Sequence, residues 1–329
     1  MKAIIFPSKD NVEVATLADP KPGPGEVVVR VRASGLCHTD LDVMHANYGT
    51  AAYPVVPGHE YAGEVAEVGP GVTGVSLGDR VVVDPNLECG TCPACKRGWA
   101  HLCDNLGAYG VTVNGGFGEL SLVRADRIHP IGDMSFPVAA LAEPMGCVLN
   151  GLSPVEGKIV ERAAIFGAGP MGLLMGLALK SRGVDVSMID LDAGRLALAE
   201  AQGLEGIEAG NAALAAARRS FDLAVEATGV PAVAAGLVDY VANGGTASFF
   251  GVCPQDARIE VSPFEIFRRQ LSLVGTHSLN HNIPEALAVL EAIGPAADAV
   301  ITHQMSLEEV AEVMAGHKPA GSLKIEMVV

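Results

Sequence analysis

Four cysteines lie within fifteen residues of the sequence. They are Cys89, Cys92, Cys95 and Cys103. Gly90 and Pro93 between them let the loop fold back on itself. Zinc binds four thiolates in a tetrahedron, which leaves no open position for water or substrate. Disulfide pairs or a nucleic-acid-binding zinc finger are the alternatives for such a set. The spacing favours a structural zinc site.

A second, mixed set of metal-ligand candidates is spread over the first half of the chain. It contains one thiolate, one imidazole and two carboxylates, from Cys37, His59, Glu60 and Glu143. Catalytic zinc usually has such mixed ligands and keeps one position open for an oxygen ligand. There it acts as a Lewis acid that lowers the pKa of a bound alcohol, so that an alkoxide forms near neutral pH and releases hydride. The combination predicts a catalytic zinc site.

A glycine-rich turn in the middle of the sequence has the pattern that binds dinucleotides. Gly167-Ala-Gly-Pro-Met-Gly172 follows a predicted strand, Ala163–Phe166, and precedes a predicted helix, Leu173–Lys180. Glycines in such a turn let the backbone approach a pyrophosphate, which the helix N-terminus attracts. The predicted cofactor contacts in this turn are Gly167, Gly169, Pro170, Met171 and Gly172.

An acidic residue, Asp190, ends the next predicted strand, eighteen residues after Gly172. A carboxylate at this point accepts hydrogen bonds from the ribose hydroxyls and repels a 2′-phosphate. NAD is therefore predicted rather than NADP. Arg195 either lines the adenine pocket or is a solvated helix residue.

Two patterns of secondary structure must position these residues. Up to about residue 135, short β-branched runs alternate with Gly and Pro, which is typical of an antiparallel, barrel-like β domain. Its predicted strands are Val27–Val31, Ala62–Val68, Arg80–Val83 and Leu120–Val123. From about residue 140, apolar strands alternate with alanine-rich helices, which predicts a doubly wound parallel sheet of the Rossmann type and an α/β fold class. Its predicted strands are Ala163–Gly167, Val184–Asp190, Leu223–Ala227 and Thr246–Gly251.

Length and composition restrict the class of protein. The 329 residues suffice for two domains, and a net charge of −16 disfavours binding to nucleic acid or to an anionic membrane. Seven cysteines and no signal-peptide pattern favour reduced thiols in the cytoplasm. The apolar stretch Ala163–Leu179 contains four glycines and a proline, so we interpret it as strand, turn and helix rather than as a membrane span.

Several of these segments together resemble the zinc-containing medium-chain alcohol dehydrogenases. The resemblance rests on Gly35-Leu-Cys-His-Thr-Asp40, Pro57-Gly-His-Glu-Tyr-Ala-Gly63, the four-cysteine segment and Glu143-Pro144, and it extends over nearly the whole chain. It implies a GroES-like catalytic domain, residues 1–140 and 278–329, and an NAD-binding Rossmann domain, residues 141–277.

The resemblance also assigns roles to the mixed set of ligands. Cys37 and His59 are expected to bind the catalytic zinc, and Glu60 to be a ligand or a near partner that exchanges with water. Glu143 matches a glutamate of the sorbitol and threonine dehydrogenase branches, where alcohol dehydrogenases have a cysteine. This difference favours polyol-like substrates over ethanol.

Proton transfer departs from the family pattern. Thr39 matches the hydroxyl that hydrogen-bonds the reacting alcohol and begins its proton relay. Family relays commonly continue to a histidine five positions after the ligand cysteine, but this chain has Asp42 there, so Asp42, His45 or water could accept the proton. Asn150 stands where relatives often have another histidine. Two segments, Glu226-Ala-Thr-Gly229 and Phe249-Phe-Gly-Val252, resemble family strand ends that approach the nicotinamide. This resemblance implies cofactor contacts from Thr228, Gly229 and Val252.

The resulting hypothesis is the reversible NAD-linked oxidation of a secondary alcohol, namely a small polyol or sugar alcohol, to a ketone by hydride transfer from a zinc-bound alkoxide. The alternatives are a threonine-type amino-alcohol dehydrogenase and a non-enzymatic paralogue that keeps the fold and the structural zinc. Loops 40–55, 110–118 and 275–282 are expected to form the substrate pocket, with the polar candidates Tyr48, Tyr109 and Asn114. Because relatives are dimers or tetramers, a homodimer or homotetramer joined through Leu271–Val274 is expected.

Overall fold

The computed structural model describes residues 1–47, 49 and 52–329, so the predicted pocket residue Tyr48 lies outside the described residues. The chain forms two compact units. The first consists of Met1–Gly146, Leu279–Glu291 and Ile301–Val329, and the second of Cys147–Ser278 and Ala292–Val300. The first boundary lies six residues after the predicted residue 140, and the second lies one residue after the predicted residue 277. Ala292–Val300, which was predicted to belong to the catalytic domain, groups with the second unit instead.

The secondary structure of the described residues consists of strands, α-helices and short 3-10 turns. The strands are β1 (Lys2–Ile5), β2 (Glu13–Thr16), β3 (Glu26–Gly35), β4 (Glu60–Val68), β5 (Arg80–Val83), β6 (Asn86–Leu87), β7 (Gly107–Ala108), β8 (Leu120–Arg124), β9 (Ile128–Pro130), β10 (Arg162–Phe166), β11 (Asp185–Asp190), β12 (Glu205–Glu208), β13 (Phe221–Glu226), β14 (Val241–Phe249), β15 (Ser272–Gly275), β16 (Ile301–Met305) and β17 (Lys324–Val328). The α-helices are α1 (His38–Met44), α2 (Pro93–Lys96), α3 (Phe136–Ala140), α4 (Ala142–Leu152), α5 (Pro170–Ser181), α6 (Ala193–Ala201), α7 (Ala212–Ala216), α8 (Pro231–Gly236), α9 (Pro263–Arg269), α10 (Ile283–Ile293), α11 (Pro295–Asp298) and α12 (Leu307–Met314).

The first unit contains a mainly antiparallel sheet in the order β16-β17-β3-β4-β5-β9, with β8 also paired to β3. The β16–β17 pair is its parallel member. Strand β3 is rich in valine, and the side chains of Val27, Val29 and Val31 are fully buried in the core of this unit. β-branched residues fill such a pleated, buried surface well. All four strands predicted for this part of the chain are confirmed.

The register of this sheet brings distant parts of the sequence together. Gly35 at the end of β3 pairs with Glu60 at the start of β4 and with Glu326 of β17. Helix α1 follows β3 directly, after the N-cap residue Cys37. The ends of three strands and the first turn of a helix therefore meet at one edge of the sheet.

The second unit contains six parallel strands in the order β12-β11-β10-β13-β14-β15. The strand order reverses between β10 and β13, which is where doubly wound sheets bind ligands. All four predicted strands are confirmed, although β14 begins five residues earlier than the prediction. Helix α5 is apolar on all sides, and its residues Gly172 to Leu179 are buried. A helix of this composition needs to be covered by protein on every side.

One helical stretch of the described residues, Phe136–Val155, is long and apolar enough to cross a membrane by length and composition. The apolar window of this stretch is 78% buried within the protein. A buried core helix passes the same test.

Candidate metal centres and cofactor site

The four predicted zinc cysteines converge. The Sγ atoms of Cys89, Cys92, Cys95 and Cys103 all lie within 4.8 Å of one another. Helix α2 begins at Pro93 immediately after Cys92, which accepts a hydrogen bond from the backbone N–H of Cys95 at 3.5 Å. The N–H groups of Cys92 and Asn105 donate to the Sγ atoms of Cys89 and Cys103 at 3.4 and 3.3 Å.

The thiols of this group differ in acidity. The side-chain hydrogen bond from Thr91, followed by backbone N–H donors, lowers the pKa of Cys89 to about 6. Burial and contact with the Cys92 and Cys103 thiols raise the pKa of Cys95 to about 12. Four thiolates this close repel one another unless a cation neutralises them, and N–H donors around sulfur are typical of zinc–thiolate groups. The donor set fits zinc, with Cys89, Cys92, Cys95 and Cys103 as its ligands.

A short segment of the first unit attaches the four-cysteine loop to the rest of that unit. Asn280 donates from Nδ2 to the Gly98 carbonyl oxygen at 3.0 Å. The two ring nitrogens of His281 lie 3.6 Å from Asp84 and 3.4 Å from Glu88. The hydrogen bond with Asp84, outweighing burial, and the charges of both carboxylates raise the pKa of His281. Sequence analysis assigned no role to this histidine.

The mixed set also converges, in the first unit. The ligand atoms of Cys37, His59 and Glu60 lie within 4.8 Å of one another, and the latter two residues are buried. Sulfur, nitrogen and one carboxylate oxygen at this spacing fit zinc with an open coordination position. Glu143 is buried in the first turn of α4. Among the described residues, it does not belong to the group whose ligand atoms lie within 4.8 Å of one another. The ligand role of Glu143 therefore stays a prediction.

Asp40 is a buried residue that contacts the mixed set and supports its geometry. Its carboxylate is fully buried, and it accepts hydrogen bonds from the N–H groups of Cys37 at 2.9 Å and Gly58 at 3.0 Å. Its Oδ1 atom lies 3.4 Å from His59 Nδ1. Burial lowers the pKa of His59, but the carboxylate of Asp40 and the thiol of Cys37 outweigh it, so that the pKa lies well above its usual value. A carboxylate behind a metal-binding histidine orients the ring and makes it a more basic ligand.

Lys324 supplies a buried positive charge beside Glu60. Its Nζ atom forms an ion pair with Glu60 Oε2 and donates to the Leu36 carbonyl oxygen at 3.2 Å. Burial opposes the charged form of Lys324, but Glu60, Cys37 and Glu326 outweigh it and raise the pKa of the amine. Gly35 makes room for the pair, because a Cβ atom there would lie 2.3 Å from Glu60 Oε2. Neither Asp40 nor Lys324 was predicted, although Asp40 lies in the motif that carries the family resemblance.

The predicted relay residues lie on or next to α1. Thr39 and Asp42 stand one helical turn apart, and both are half-buried. The His38 ring lies 3.9 Å from Asp42. His45 is exposed and pairs with Asp10 at 2.7 Å. Both relay candidates thus have a partner of possible opposite charge, and their role in proton transfer stays a prediction.

The glycine-rich turn has the expected geometry in the second unit. Gly167 follows β10 with φ +109°, a conformation that favours glycine, and Gly169 is the N-cap of α5. A Cβ atom at Gly172 would lie 1.9 Å from the Gly167 carbonyl oxygen, whereas one at Gly169 would meet no protein atom within 4 Å. The space beside Gly169 and the free N–H groups of the helix start fit a pyrophosphate. Pro170 and Met171 form the first turn of α5.

Asp190 is the last residue of β11 and is bonded to this turn. It accepts hydrogen bonds from the Ala168 N–H at 2.7 Å and the Asp192 N–H at 2.9 Å. Each carboxylate oxygen keeps a second lone pair for a ribose hydroxyl. Arg195 lies 3.8 Å from Asp190 and is 42% exposed, so its guanidinium is close to the predicted ribose position.

The predicted nicotinamide contacts stand at the ends of β13 and β14. Thr228 and Gly229 form a turn after β13 and donate hydrogen bonds to Glu226, a buried residue of the same segment that was given no role of its own. Val252 follows β14 and is 91% exposed. An exposed valine next to a strand end is available to a ligand.

The predicted pocket residues Tyr109 and Asn114, and Asn150, which stands where relatives often have a histidine, make structural hydrogen bonds. The hydroxyl of Tyr109 is buried and accepts from the Arg124 N–H at 2.9 Å. Asn114 accepts from the Val56 N–H at 2.9 Å. Asn150 of the second unit donates to the carbonyl oxygens of His277 and Ser278 and to the Thr276 hydroxyl. Loop anchoring accounts for all three side chains.

Comparison with known proteins agrees with this arrangement. The alcohol dehydrogenase GroES-like domain matches residues 23–133, and the zinc-binding dehydrogenase domain matches residues 170–292. D-Altritol 5-dehydrogenase of Agrobacterium fabrum is 54% identical over 94% of both chains. D-Arabinitol dehydrogenase 1 of Uromyces fabae is 34% identical over 88% of this chain and 86% of its own.

A solved structure is similar throughout. A protein from Sinorhizobium meliloti, assigned as a zinc-binding dehydrogenase and crystallised with NADP, matches with a TM-score of 0.95 and 30% identity and covers 100% of this chain and 99% of its own. The predicted combination of a GroES-like domain and a Rossmann-type sheet is thereby confirmed. The chain belongs to the zinc-containing medium-chain alcohol dehydrogenase family and is an oxidoreductase.

Proposed function

We propose that this enzyme oxidises a secondary hydroxyl group of a small polyol to a ketone, with NAD as the hydride acceptor and two zinc ions per subunit. The observation that carries the proposal is the mixed group of Cys37, His59 and Glu60, whose ligand atoms lie within 4.8 Å of one another. Simple structural zinc sites do not need such a group, because closed thiolate sets serve that purpose.

The substrate class rests on relatives. The two curated relatives described above act on D-altritol and D-arabinitol, which are linear polyols. Glu143, where alcohol dehydrogenases have a cysteine, supports the same class.

The residues of the first unit divide the reaction between them. Bound by Cys37, His59 and Glu60, zinc supplies Lewis-acid chemistry that lowers the pKa of an alcohol. The Thr39 hydroxyl would accept a hydrogen bond from the substrate hydroxyl and pass its own proton on as it takes up the substrate proton. Asp42, one helical turn further on, is the proposed acceptor on the way to solvent. Bound NAD would accept the hydride of the carbinol carbon, so the products would be a ketone, NADH and one proton.

Asp190 favours NAD over NADP. A 2′-phosphate would add negative charge beside this carboxylate, which is 11% exposed. Arg195, 3.8 Å from Asp190, supplies a partly compensating positive charge, and the Sinorhizobium meliloti protein was crystallised with NADP. We therefore propose a preference for NAD that is limited rather than absolute.

A substrate panel tests the function. Initial rates are measured with D-altritol, D-arabinitol, other C3 to C6 polyols, ethanol and L-threonine, each with NAD and with NADP. We expect the highest kcat/KM for a polyol with NAD and a loss of activity after zinc is removed with a chelator and restored by added zinc. Activity on L-threonine alone would favour the amino-alcohol alternative. A protein without zinc, cofactor binding or activity would overturn the proposal in favour of the non-enzymatic paralogue.

We also propose a homodimer or homotetramer in the cytoplasm. Strand β15 is an edge strand of the parallel sheet, and Phe264 and Phe267 of the preceding helix α9 are 64% and 81% exposed. Edge strands and exposed apolar side chains of this kind support association of identical chains. None of the seven cysteines forms a disulfide bond in the structure, which suits a reducing compartment. Light scattering of the purified protein measures the assembly, and a monomer would contradict it.

A further inference from the structure

A buried carboxylate stands where the strand order of the parallel sheet reverses. Glu226 is the last residue of β13, is fully buried and pairs in the sheet with Phe166, the last residue of β10. A dinucleotide lies across the strand ends at this reversal. Asp190 and β11 lie on one side of β10, where the adenosine half belongs. Glu226 and β14 lie on the other side, where the nicotinamide half belongs.

The two oxygens of this carboxylate are used differently. Oε1 accepts hydrogen bonds from the N–H groups of Thr228 at 2.6 Å and Gly229 at 2.8 Å and from the Thr228 hydroxyl at 2.5 Å. Oε2 is buried and has no hydrogen-bond partner among the described residues. No Lys, Arg or His in the described part of the chain forms an ion pair with Glu226. A buried carboxylate without a counter-charge is costly unless another group supplies one.

The surrounding backbone is packed tightly around this carboxylate. The N–H groups of Phe250 and Gly251 donate to the Glu226 carbonyl oxygen at 3.0 and 2.7 Å. A Cβ atom at Gly251 would lie 2.6 Å from Glu226 Oε2 and 2.4 Å from the Gly229 nitrogen. A Cβ atom at Gly167 would lie 3.0 Å from Thr228 Cγ2. The turn that Glu226 holds is thus in close packing with the glycine-rich turn and with the end of β14.

On the basis of the proposed cofactor site, we infer that Glu226 has two roles there. It positions the Thr228–Gly229 turn, and its charge favours binding of the oxidised nicotinamide over binding of the reduced one. The nicotinamide ring carries a positive charge in NAD that hydride transfer removes. A negative charge with no protein counter-ion therefore stabilises bound NAD more than bound NADH. The direction agrees with use of the enzyme for alcohol oxidation.

Three variants separate charge from position. Glu226→Gln keeps one oxygen for the three donors of the turn and removes the charge. Glu226→Asp keeps the charge and shortens the side chain, and Glu226→Ala removes both. Glu161→Gln, at an exposed residue just before β10 and at the end of that strand opposite the glycine-rich turn, is the matched control for loss of one negative charge.

The test measures Kd for NAD and for NADH by titration of each purified holoprotein, with thermal unfolding as a check of folding. For Glu226→Gln we expect the ratio of Kd(NAD) to Kd(NADH) to rise about five- to tenfold. Loss of a negative charge several ångströms from the nicotinamide, in a partly screened site, would have an effect of this size. Glu226→Asp should weaken the binding of both cofactors and leave the ratio unchanged, and Glu161→Gln should change neither Kd. If the Gln variant does not fold, the ratio for the Ala variant replaces it.

The outcomes distinguish this inference from the proposed function. An unchanged ratio in a folded Glu226→Gln or Glu226→Ala variant would overturn the electrostatic role. Equal affinities of Glu226→Asp and the unaltered protein would overturn the positioning role. Failure of the unaltered protein to bind either cofactor would instead overturn the proposed function itself.

Discussion

The two metal-ligand groups of this enzyme are assembled in opposite ways. The four-cysteine group comes from fifteen consecutive residues, and its N–H donors to sulfur come from the same loop. The mixed group needs the pairing of β3 with β4, the first turn of α1 and a lysine from β17. One group is a local property of the sequence, whereas the other is a property of the folded sheet.

The two groups also differ in electrostatic surroundings. Cys89 and Cys92 have lowered pKa values because of nearby N–H and hydroxyl donors. Asp40, Glu60 and Lys324 surround the mixed group with buried charges of both signs. A closed thiolate set serves stability, and a set with charged supports serves reactivity. The following predictions test this contrast.

The largest effect is expected from His59→Ala, which removes a ligand of the mixed group. Loss of the Lewis acid should lower kcat by at least about 1,000-fold. Zinc measured by mass spectrometry should fall from two ions to one per subunit, while the far-ultraviolet circular dichroism stays unchanged. His317→Ala, at an exposed histidine after α12 that pairs with Glu312, is the control. Normal activity of a folded His59→Ala variant would refute the catalytic assignment.

Cys95→Ser should act on stability instead of chemistry. Without the fourth thiolate the closed set binds zinc weakly, and the free energy of unfolding should fall by about 3 kcal/mol, because bound metal stabilises only the folded state. The kcat of the folded fraction should change by less than about threefold, since substrate has no access to a closed set. Urea unfolding measures the difference, with Cys253→Ser as the matched control. A variant that loses kcat but not stability would reverse the roles of the two groups.

Asp40→Asn should weaken the mixed group without removing a ligand. An amide cannot accept from both N–H groups and also face His59 with a negative charge. Zinc affinity, measured by competition with a chelator, should fall about 10- to 100-fold. Asp10→Asn, which alters an exposed partner of His45, should leave it unchanged. Unchanged zinc affinity in Asp40→Asn would mean that its hydrogen bonds serve the fold alone.

The smallest effect concerns the attachment of the four-cysteine loop. The pKa of His281 is raised by Asp84 and Glu88, so the protonated ring stabilises the folded protein. This contribution is complete below the ordinary pKa of about 6.5 and is lost as the pH rises through the folded-state pKa. His281→Gln should therefore lower the free energy of unfolding at pH 6 by less than about 1 kcal/mol, because the ring is half-exposed. At pH 9 the variant and the unaltered protein should unfold at the same urea concentration. An equal difference in their free energies of unfolding at pH 6 and at pH 9 would exclude the ion pair as the cause.

The sequence predicted those features that are encoded locally. The Cys89–Cys103 spacing, the glycine-rich turn and Asp190 each depend on a few neighbouring residues, and the structure brings them together as expected. The strand alternation likewise identified both sheets. Strand β12 was missed because its four residues, Glu205–Glu208, include two glutamates and a glycine and give no apolar run.

Features that depend on sheet register could not be predicted in the same way. Lys324 lies 264 residues after Glu60, and nothing near either residue indicates their contact. Glu226 looks like the end of an ordinary strand until its carboxylate is seen to accept three hydrogen bonds. Asp40 could have been noticed, since an acidic residue three positions after the N-cap Cys37 is the pattern of a capping box.

The position of Lys324 bears on the order of events during synthesis. All four cysteines of the closed set leave the ribosome before the second unit is made, so that segment can take up zinc early. The ion pair of Glu60, by contrast, can form only after β17 has been synthesised, because β17 follows the whole parallel sheet in the chain. Until then Glu60 lacks its cation, and the charged surroundings of the mixed group are incomplete. A nascent chain should therefore acquire its two zinc ions at different times, with the catalytic one bound in its final setting only after the last strand has joined β3.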